Sequence, residues 1–384
     1  MKDADVLFMQ RAIELALRGK GKTSPNPLVG AVIVKDGQIV GEGYHQKAGT
    51  AHAEIHALAQ ANEEARGSTL YVTLEPCSHY GRTPPCTEAI LKAGVKKVVM
   101  AMLDPNPQVA GKGMEKLRHE GVEVQVGLLS QETAEINQPF LTWITAQRPH
   151  VLAKWAMTVD GKIATLSGDS RWISCPTSRQ LVHQWRQDKD AILVGIGTVL
   201  ADDPQLTTRL ADFDPTFDQS EQRHPLRVIL DSKGRTPLTA KVLKAEGKTL
   251  IAVTEQAPLE KVKALEAIGA TVWLCPQNEK GRIDLPSLMA RLGQAGITSL
   301  LVEGGSSVHG AFLEDKLVDQ IAVFIAPKLV GGATAPSPVG GGGVELMSQA
   351  WLVKRWRGQP SGEDYLLEGT LREVIPCLQG LWKN

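Results

Sequence analysis

His52-Ala53-Glu54 stands where a helix should begin, Pro76-Cys77 follows a predicted strand at 69–74, and Cys86 opens another predicted helix. One imidazole and two thiolates suit tetrahedral zinc, and three protein ligands leave the fourth position open for water. Zinc in such a site lowers the pKa of its water towards roughly 7. Glu54 lies two residues from His52 on the same helical turn, within reach of that water as the group that takes its proton and returns it to a leaving nitrogen. A closed structural zinc would need a fourth ligand, with His45, His56 and His79 as the candidates, and two unrelated buried thiols are the remaining reading.

The combination of H-x-E with P-C and a later Cys is the pattern of zinc deaminases. That pattern spaces its cysteines C-x-x-C, whereas eight residues, Ser78 to Pro85, separate them here. A second constellation is Leu300-Leu301-Val302-Glu303-Gly304-Gly305-Ser306-Ser307, a strand running into two glycines and then a helix. Backbone N–H groups at a helix start bind phosphate, and glycine permits its approach; an ordinary turn and cap is the competing reading. Gly195-Ile196-Gly197 lacks the third glycine of the dinucleotide fingerprint, so a doubly wound dinucleotide fold is not supported.

These residues need elements to hold them. Apolar residues at helical spacing predict a helix over 6–18, and Asp36-Gly37 between β-rich runs predicts a hairpin. A helix over 52–65, the strand at 69–74, a helix at 86–93, a strand at 95–102 and a helix at 113–120 continue an α/β alternation. Gln138 to Pro149, with two prolines, ends that pattern. Strands then restart at 151–157 and recur near 190–195, 226–231, 248–254, 270–274, 298–303 and 318–325, with helices near 176–187, 258–268, 286–295 and 306–315. Residues 331–343, with six glycines and two prolines, read as a mobile loop. With 384 residues and about 100 to 200 per domain, the expectation is two α/β domains, residues 1–145 and 146–384.

Composition narrows the function. Lys plus Arg and Asp plus Glu both number 42, with 42% hydrophobic residues, which excludes wholesale disorder and the broad basic footprint of a nucleic-acid-coating protein. Five scattered cysteines are not a disulfide framework and fit a reducing compartment. The first twenty residues carry no signal-peptide core, and no apolar run approaches the roughly 18 residues of a membrane span. The chain therefore reads as soluble and cytoplasmic, with neither nucleic acid nor membrane as partner and with homo-oligomerisation left open.

The spacing of the cysteines explains itself by resemblance. Glu75-Pro76-Cys77-Ser78-His79-Tyr80-Gly81-Arg82-Thr83-Pro84-Pro85-Cys86 resembles the hallmark of the bifunctional riboflavin-biosynthesis deaminase/reductase family. Pro25 to Gly30, His52-Ala53-Glu54, Asp104-Pro105-Asn106-Pro107 with Val109-Ala110-Gly111, and Thr158-Val159-Asp160-Gly161 agree with it, so the likeness spans essentially the whole chain. It implies an N-terminal cytidine-deaminase-like α/β/α domain and a C-terminal dihydrofolate-reductase-like α/β domain. The substrate would be a diaminopyrimidinone carrying a ribosylamino 5′-phosphate, first deaminated and then reduced from ribosyl to ribityl, with Zn2+ and NADPH as cofactors.

Carried over by position, the resemblance makes His52, Cys77 and Cys86 the zinc ligands and Glu54 the catalytic group. Asn26 and His45 match the pyrimidine pocket, and Arg82, Asp104 and Asn106 match loops near the substrate. Cofactor contacts would fall at Ala156, Trp172, Thr198, Asp202, Ser232 and Gly305, Ser306, Ser307, Val308, His309, Gly310 and Ala311. Substrate contacts would fall at Ser170, Arg186, Leu206, Arg209 and Glu303, with Arg186 and Arg209 suited to the phosphate because guanidinium binds phosphate in two-bonded fashion. Trp172 could equally be a core aromatic, and Lys154 and Asp160 are the candidate proton donors. Two other readings compete: a nucleoside or tRNA deaminase with an inert appended domain, and a zinc-stabilised nucleotide-binding protein without turnover, in which Glu54 would have no use.

Overall fold

Asp36 and Gly37 both take positive φ, 50° and 78°, the backbone that a two-residue hairpin between right-twisted strands demands. They join β1 (Gly30–Lys35) to β2 (Gln38–Tyr44). The computed structural model describes residues 3–80, 84–106 and 109–372, and the chain changes from one compact unit to a second between Gln147 and Arg148.

In the first unit β3 (Thr69–Leu74), β4 (Lys97–Met102) and β5 (Glu123–Val126) complete a five-stranded sheet of order β2-β1-β3-β4-β5. β1 is antiparallel to β2 and β3, and the last three strands are parallel. Alternate residues of the strands face opposite sides. Val32, Val34 and Tyr71 meet Met9, Ala12 and Leu15 of α1 (Asp3–Leu17) on one face. Ile33, Val72 and Met100 meet Ala53 and Ala57 of α2 (Ala53–Ala61) and Ile90 of α3 (Cys86–Ala93) on the other. Gly43 lets α2 press onto the sheet: a Cβ there would lie 2.2 Å from the Ala53 carbonyl oxygen.

The expected helix over 52–65 is α-helical only to Ala61 and ends in a 3-10 turn, Asn62–Ala65. After α4 (Lys112–His119) come β5 and two helices that the sequence reading lacked, α5 (Ser130–Ile136) and α6 (Gln138–Ala146). The stretch read as an end to the pattern is thus itself a helix. Pro139 occupies its first turn, where a missing N–H costs nothing, and Leu141 is buried.

The second unit is built on a nine-stranded sheet of order β10-β9-β8-β7-β11-β6-β12-β14-β13. Its strands are β6 (His150–Thr158), β7 (Ala191–Gly195), β8 (Leu226–Leu230), β9 (Thr249–Val253), β10 (Thr271–Leu274), β11 (Ser299–Gly304), β12 (Gln320–Ala326), β13 (Lys354–Ser361) and β14 (Asp364–Thr370). The first seven in sheet order run parallel, and β14 and β13 add antiparallel at one edge. β7 and β9 are wholly buried, as expected of parallel strands covered on both faces. The helices are α7 (Pro176–Asp188), α8 (Ile196–Asp202), α9 (Lys241–Lys244), α10 (Leu259–Ala267), α11 (Leu285–Gln294) and α12 (Ser306–Glu314).

β13 and β14 escaped the sequence reading because seven of the eight β13 residues are exposed, which leaves no apolar alternation to read. Residues 331–343 have no regular structure, and Gly340 within them packs closely against the start of α12. The Gly340 N–H donates to Ser306 O at 3.0 Å, His309 Nδ1 contacts Pro338 O at 3.0 Å, and a Cβ on Gly310 would meet Gly340 O at 2.0 Å. Among the described residues, no helix is long and apolar enough to cross a membrane.

Candidate functional site

In the first unit, His52 sits immediately before α2, Cys77 in the loop after β3, and Cys86 is the first residue of α3. Cys77 Sγ lies 3.6 Å and Cys86 Sγ 3.3 Å from His52 Nδ1, and the three ligand atoms all fall within 4.8 Å of one another. Tetrahedral zinc with N and S ligands requires N···S separations of about 3.5 Å. The three side chains therefore fit that ion, and among the described residues no fourth His, Cys, Asp or Glu joins them.

The electrostatics agree. Hydrogen bonding with the Cys86 thiol first, then with His52 and the Cys86 N–H, overcomes burial and pulls the Cys77 thiol down to about 4. The same coupling and burial push Cys86 up. A divalent cation in the triangle favours loss of the remaining thiol proton. Glu54 is 3% exposed, burial raises its pKa, and its Oε2 has no hydrogen-bond partner among the described residues. A buried carboxylate oxygen without such a partner, beside the three candidate metal ligands, is suited to taking a proton.

The expected pyrimidine contacts gather close by. His45 Nδ1 lies 3.2 Å from Ala51 O, which can only accept, so Nδ1 carries the proton and Nε2 accepts from the Asn26 amide at 3.0 Å. The His45 and His52 rings stand edge to face, 5.6 Å between centroids. Asn137, absent from the sequence reading, holds the Asn26 loop: it accepts from the Leu28 N–H at 2.8 Å and donates to Leu28 O at 3.0 Å. Asp104 accepts from the Asn106 N–H at 2.9 Å. Arg82 lies outside the described residues.

In the second unit, Ala156, Ser170, Trp172, Arg186, Arg209, Glu303 and His309 line a cleft of about 590 Å³. Ser232, Ser307, Val308 and Ala311 line another of about 870 Å³. Ser170, Thr198, Asp202, Gly305 and Ser306 belong to both, so the two hollows meet at the start of α12. Leu206 lines a smaller hollow of about 490 Å³ with Trp172, Arg186 and Arg209. A helix start preceded by glycine, an arrangement suited to a phosphate, lies at the junction of the two hollows, with the Gly305 Cβ position 3.4 Å from Thr198 Oγ1. The larger hollow also exposes Lys233, Arg235 and Arg282, cations that the sequence reading did not select because they are scattered over 50 residues.

Several individual expectations change. Arg186 is not a free phosphate ligand, because its guanidinium bonds both oxygens of Glu303 at 2.7 and 2.8 Å and also Thr207 O at 3.0 Å. Gly310 belongs to neither hollow; its Cα faces Gly340. Trp172 is no core aromatic, being 63% exposed with Arg179 stacked 4.6 Å from its ring centre. Asp160 accepts from Thr158 Oγ1 and the Gly331 N–H, which holds it at about 2 and occupies it in a turn. Lys154 does line the cleft of about 590 Å³ with Glu303, and burial lowers its pKa.

Comparison with known proteins follows this division. Residues 2–102 match the cytidine and deoxycytidylate deaminase zinc-binding region, and residues 149–361 match the RibD C-terminal domain. The chain is 45% identical to riboflavin biosynthesis protein RibD of Aquifex aeolicus, over 96% of this chain and 98% of that one. The chain belongs to the RibD family. It is 45% identical to RibD of Escherichia coli K12 over 85% of this chain and 89% of that one. The solved RibD of Acinetobacter baumannii superposes with a TM-score of 0.86 at 42% identity, covering 96% of this chain and 98% of that one. A Thermotoga maritima structure described as a diaminohydroxyphosphoribosylaminopyrimidine deaminase/5-amino-6-(5-phosphoribosylamino)uracil reductase has a TM-score of 0.81 at 38% identity, with the same coverage. As a RibD enzyme the chain is a bifunctional deaminase and reductase of riboflavin biosynthesis that uses Zn2+ and NADPH.

Proposed function

We propose that the first unit hydrolytically deaminates 2,5-diamino-6-ribosylamino-4(3H)-pyrimidinone 5′-phosphate, and that the second reduces the ribosyl chain of the product to ribityl. The observation that carries the first half is the buried Glu54 oxygen, without a partner among the described residues, beside the His52, Cys77 and Cys86 triangle. Zinc held by those three side chains supplies a Lewis acid that makes water acidic near neutrality. Glu54 accepts the proton and delivers it to the departing amino nitrogen, which leaves as ammonia. Asn26, oriented by His45, and the Asp104–Asn106 turn bind the pyrimidine edge.

In the second unit bound NADPH would supply the hydride that turns the ribosyl group into ribityl. The residues shared by the two hollows bring cofactor and substrate together there, and Lys233, Arg235 and Arg282 draw the extra phosphate of NADPH into the larger one. Arg209, its side chain about 39% exposed and ion-paired at 3.3 Å with the more exposed Asp212, is better placed than the more buried Arg186 to turn to the substrate phosphate. Arg186 instead holds Glu303 in its charged form. Lys154, whose proton burial loosens, is the proton source for the opening sugar.

The protein works in the cytoplasm on small molecules, without nucleic acid. Exposed Met347, Leu352 and Trp356 beside and on the edge strand support a homo-oligomer. The deciding experiment supplies the diaminopyrimidinone phosphate with and without NADPH while ammonia and NADPH absorbance are followed. Ammonia should appear in both cases and NADPH should be consumed after it. Deamination of cytidine or an RNA loop without any NADPH consumption would favour the reading with an inert second domain.

A further inference from the structure

We propose that Glu75 is a positioning residue for deamination, a single carboxylate that fixes the loop carrying Asp104 and Asn106 against the strand leading to the zinc ligand Cys77. The proposal rests on reading Asp104 and Asn106 as pyrimidine contacts. Glu75 follows the last residue of β3, is 4% exposed, and stands two residues before Cys77. Its Oε2 accepts the N–H groups of Asp104 at 3.1 Å and Gly111 at 3.0 Å. Oε1 accepts those of Gly113 at 2.8 Å and Met114 at 3.0 Å. The donors come from both ends of the segment 104–114, and Glu75's own N–H donates to Met102 O at 3.0 Å.

One side chain thus closes the loop on itself and ties it to two strands. Within it, Asp104 caps the Asn106 N–H. The last two donors lie in the first turn of α4, where backbone N–H groups favour an anion. A second observation shows how tightly the two loops are joined. A Cβ on Gly113 would lie 2.2 Å from Pro76 O and 3.1 Å from Glu75 Oε1. The start of α4 therefore rests on the residue next to Cys77, and only glycine allows it. A glutamine in place of Glu75 would keep the size but turn an NH2 group towards two N–H donors.

The test uses the full chain carrying Glu75→Gln and, separately, Glu75→Asp. Zinc content, deamination KM and kcat, and NADPH oxidation with pre-deaminated substrate are measured for each. The expected result is one zinc per chain, unchanged reduction, and kcat within about threefold, but a deamination KM raised on the order of tenfold to a hundredfold, the effect of one or two charge-assisted hydrogen bonds. Unchanged KM with a lowered melting temperature would make Glu75 a purely structural residue. Loss of zinc together with kcat would assign it to the metal loop, and either result overturns the proposal. If Glu75→Gln does not fold, Glu75→Asp decides alone, since it keeps the charge but draws the oxygens back from the four N–H donors. Asn106→Ala and Asp104→Asn test the parent reading separately: unchanged KM in both would remove these residues from the substrate whatever Glu75 does.

Discussion

Arg186 and Glu303 face each other in a two-bonded ion pair, Nε and Nη2 at 2.7 and 2.8 Å from the two carboxylate oxygens. Burial works to raise the Glu303 pKa, but Arg186 and then Lys154 hold it down at about 2. Both side chains are about one-tenth exposed, at 12% and 9%, so removing one partner strands a desolvated charge.

Arg186→Ala should therefore destabilise the second unit by roughly 3–5 kcal/mol and, by leaving Glu303 unpaired in the cleft, lower kcat of NADPH oxidation on deaminated substrate. Direct NADPH binding and zinc-dependent deamination should stay near wild type. A variant in which only the substrate KM rises would return Arg186 to the role of a simple phosphate ligand.

Glu54→Gln should retain zinc and the fold while deamination falls by roughly 10² to 10⁴, the usual contribution of a general acid/base. The amide is nearly isosteric but cannot take the proton. Metal analysis beside the ammonia assay checks this; wild-type ammonia release would transfer the role to another group, with His79 examined next. Cys86→Ser, by contrast, should lose zinc.

Burial, and then the Glu75 charge, push the Asp104 carboxyl up to about 6, against the opposing pull of the Asn106 N–H. A carboxylate that accepts hydrogen bonds from pyrimidine amino groups must be ionised, so deamination kcat/KM should fall as pH drops through about 6. The sign for stability is the reverse: a raised acid favours folding below its unfolded pKa, near 3.9, and loses that contribution as pH rises towards 6. Asp104→Asn should erase this acid limb of the activity profile, and an unchanged profile would place the titrating group elsewhere.

Gly305→Asp would put a negative charge at the junction of the two hollows, beside Thr198 and at the start of α12. Repulsion of a cofactor phosphate there should weaken NADPH binding, measured directly by titration calorimetry, by on the order of tenfold or more, the helix end itself being worth up to about 2 kcal/mol to a bound anion. Deamination should not change. Normal NADPH affinity would move the phosphate to the Gly195–Asp202 segment.

The zinc triangle and its base were legible because each ligand is marked by local chemistry: His52 and Glu54 at a helix start, Cys77 after a strand, Cys86 at the next helix start. The same holds for the Asp36-Gly37 hairpin and the apolar runs of the parallel strands, since turn preferences and hydrophobic periods are written within a few residues. Strand β13 was illegible because an exposed edge strand carries no such period.

Partners distant in sequence were decided by tertiary structure alone. Arg186 and Glu303 are 117 residues apart, Leu28 and Asn137 are 109 apart, and Glu75 reaches donors up to 39 residues away. Sheet order brings β11, which carries Glu303, beside β7 and β6, and only that order decides whether an arginine in the cleft is paired or free. Spacing along the chain holds no record of it, because a side chain's hydrogen-bond partner is set by proximity in space and by the high cost of leaving a buried charge unpaired.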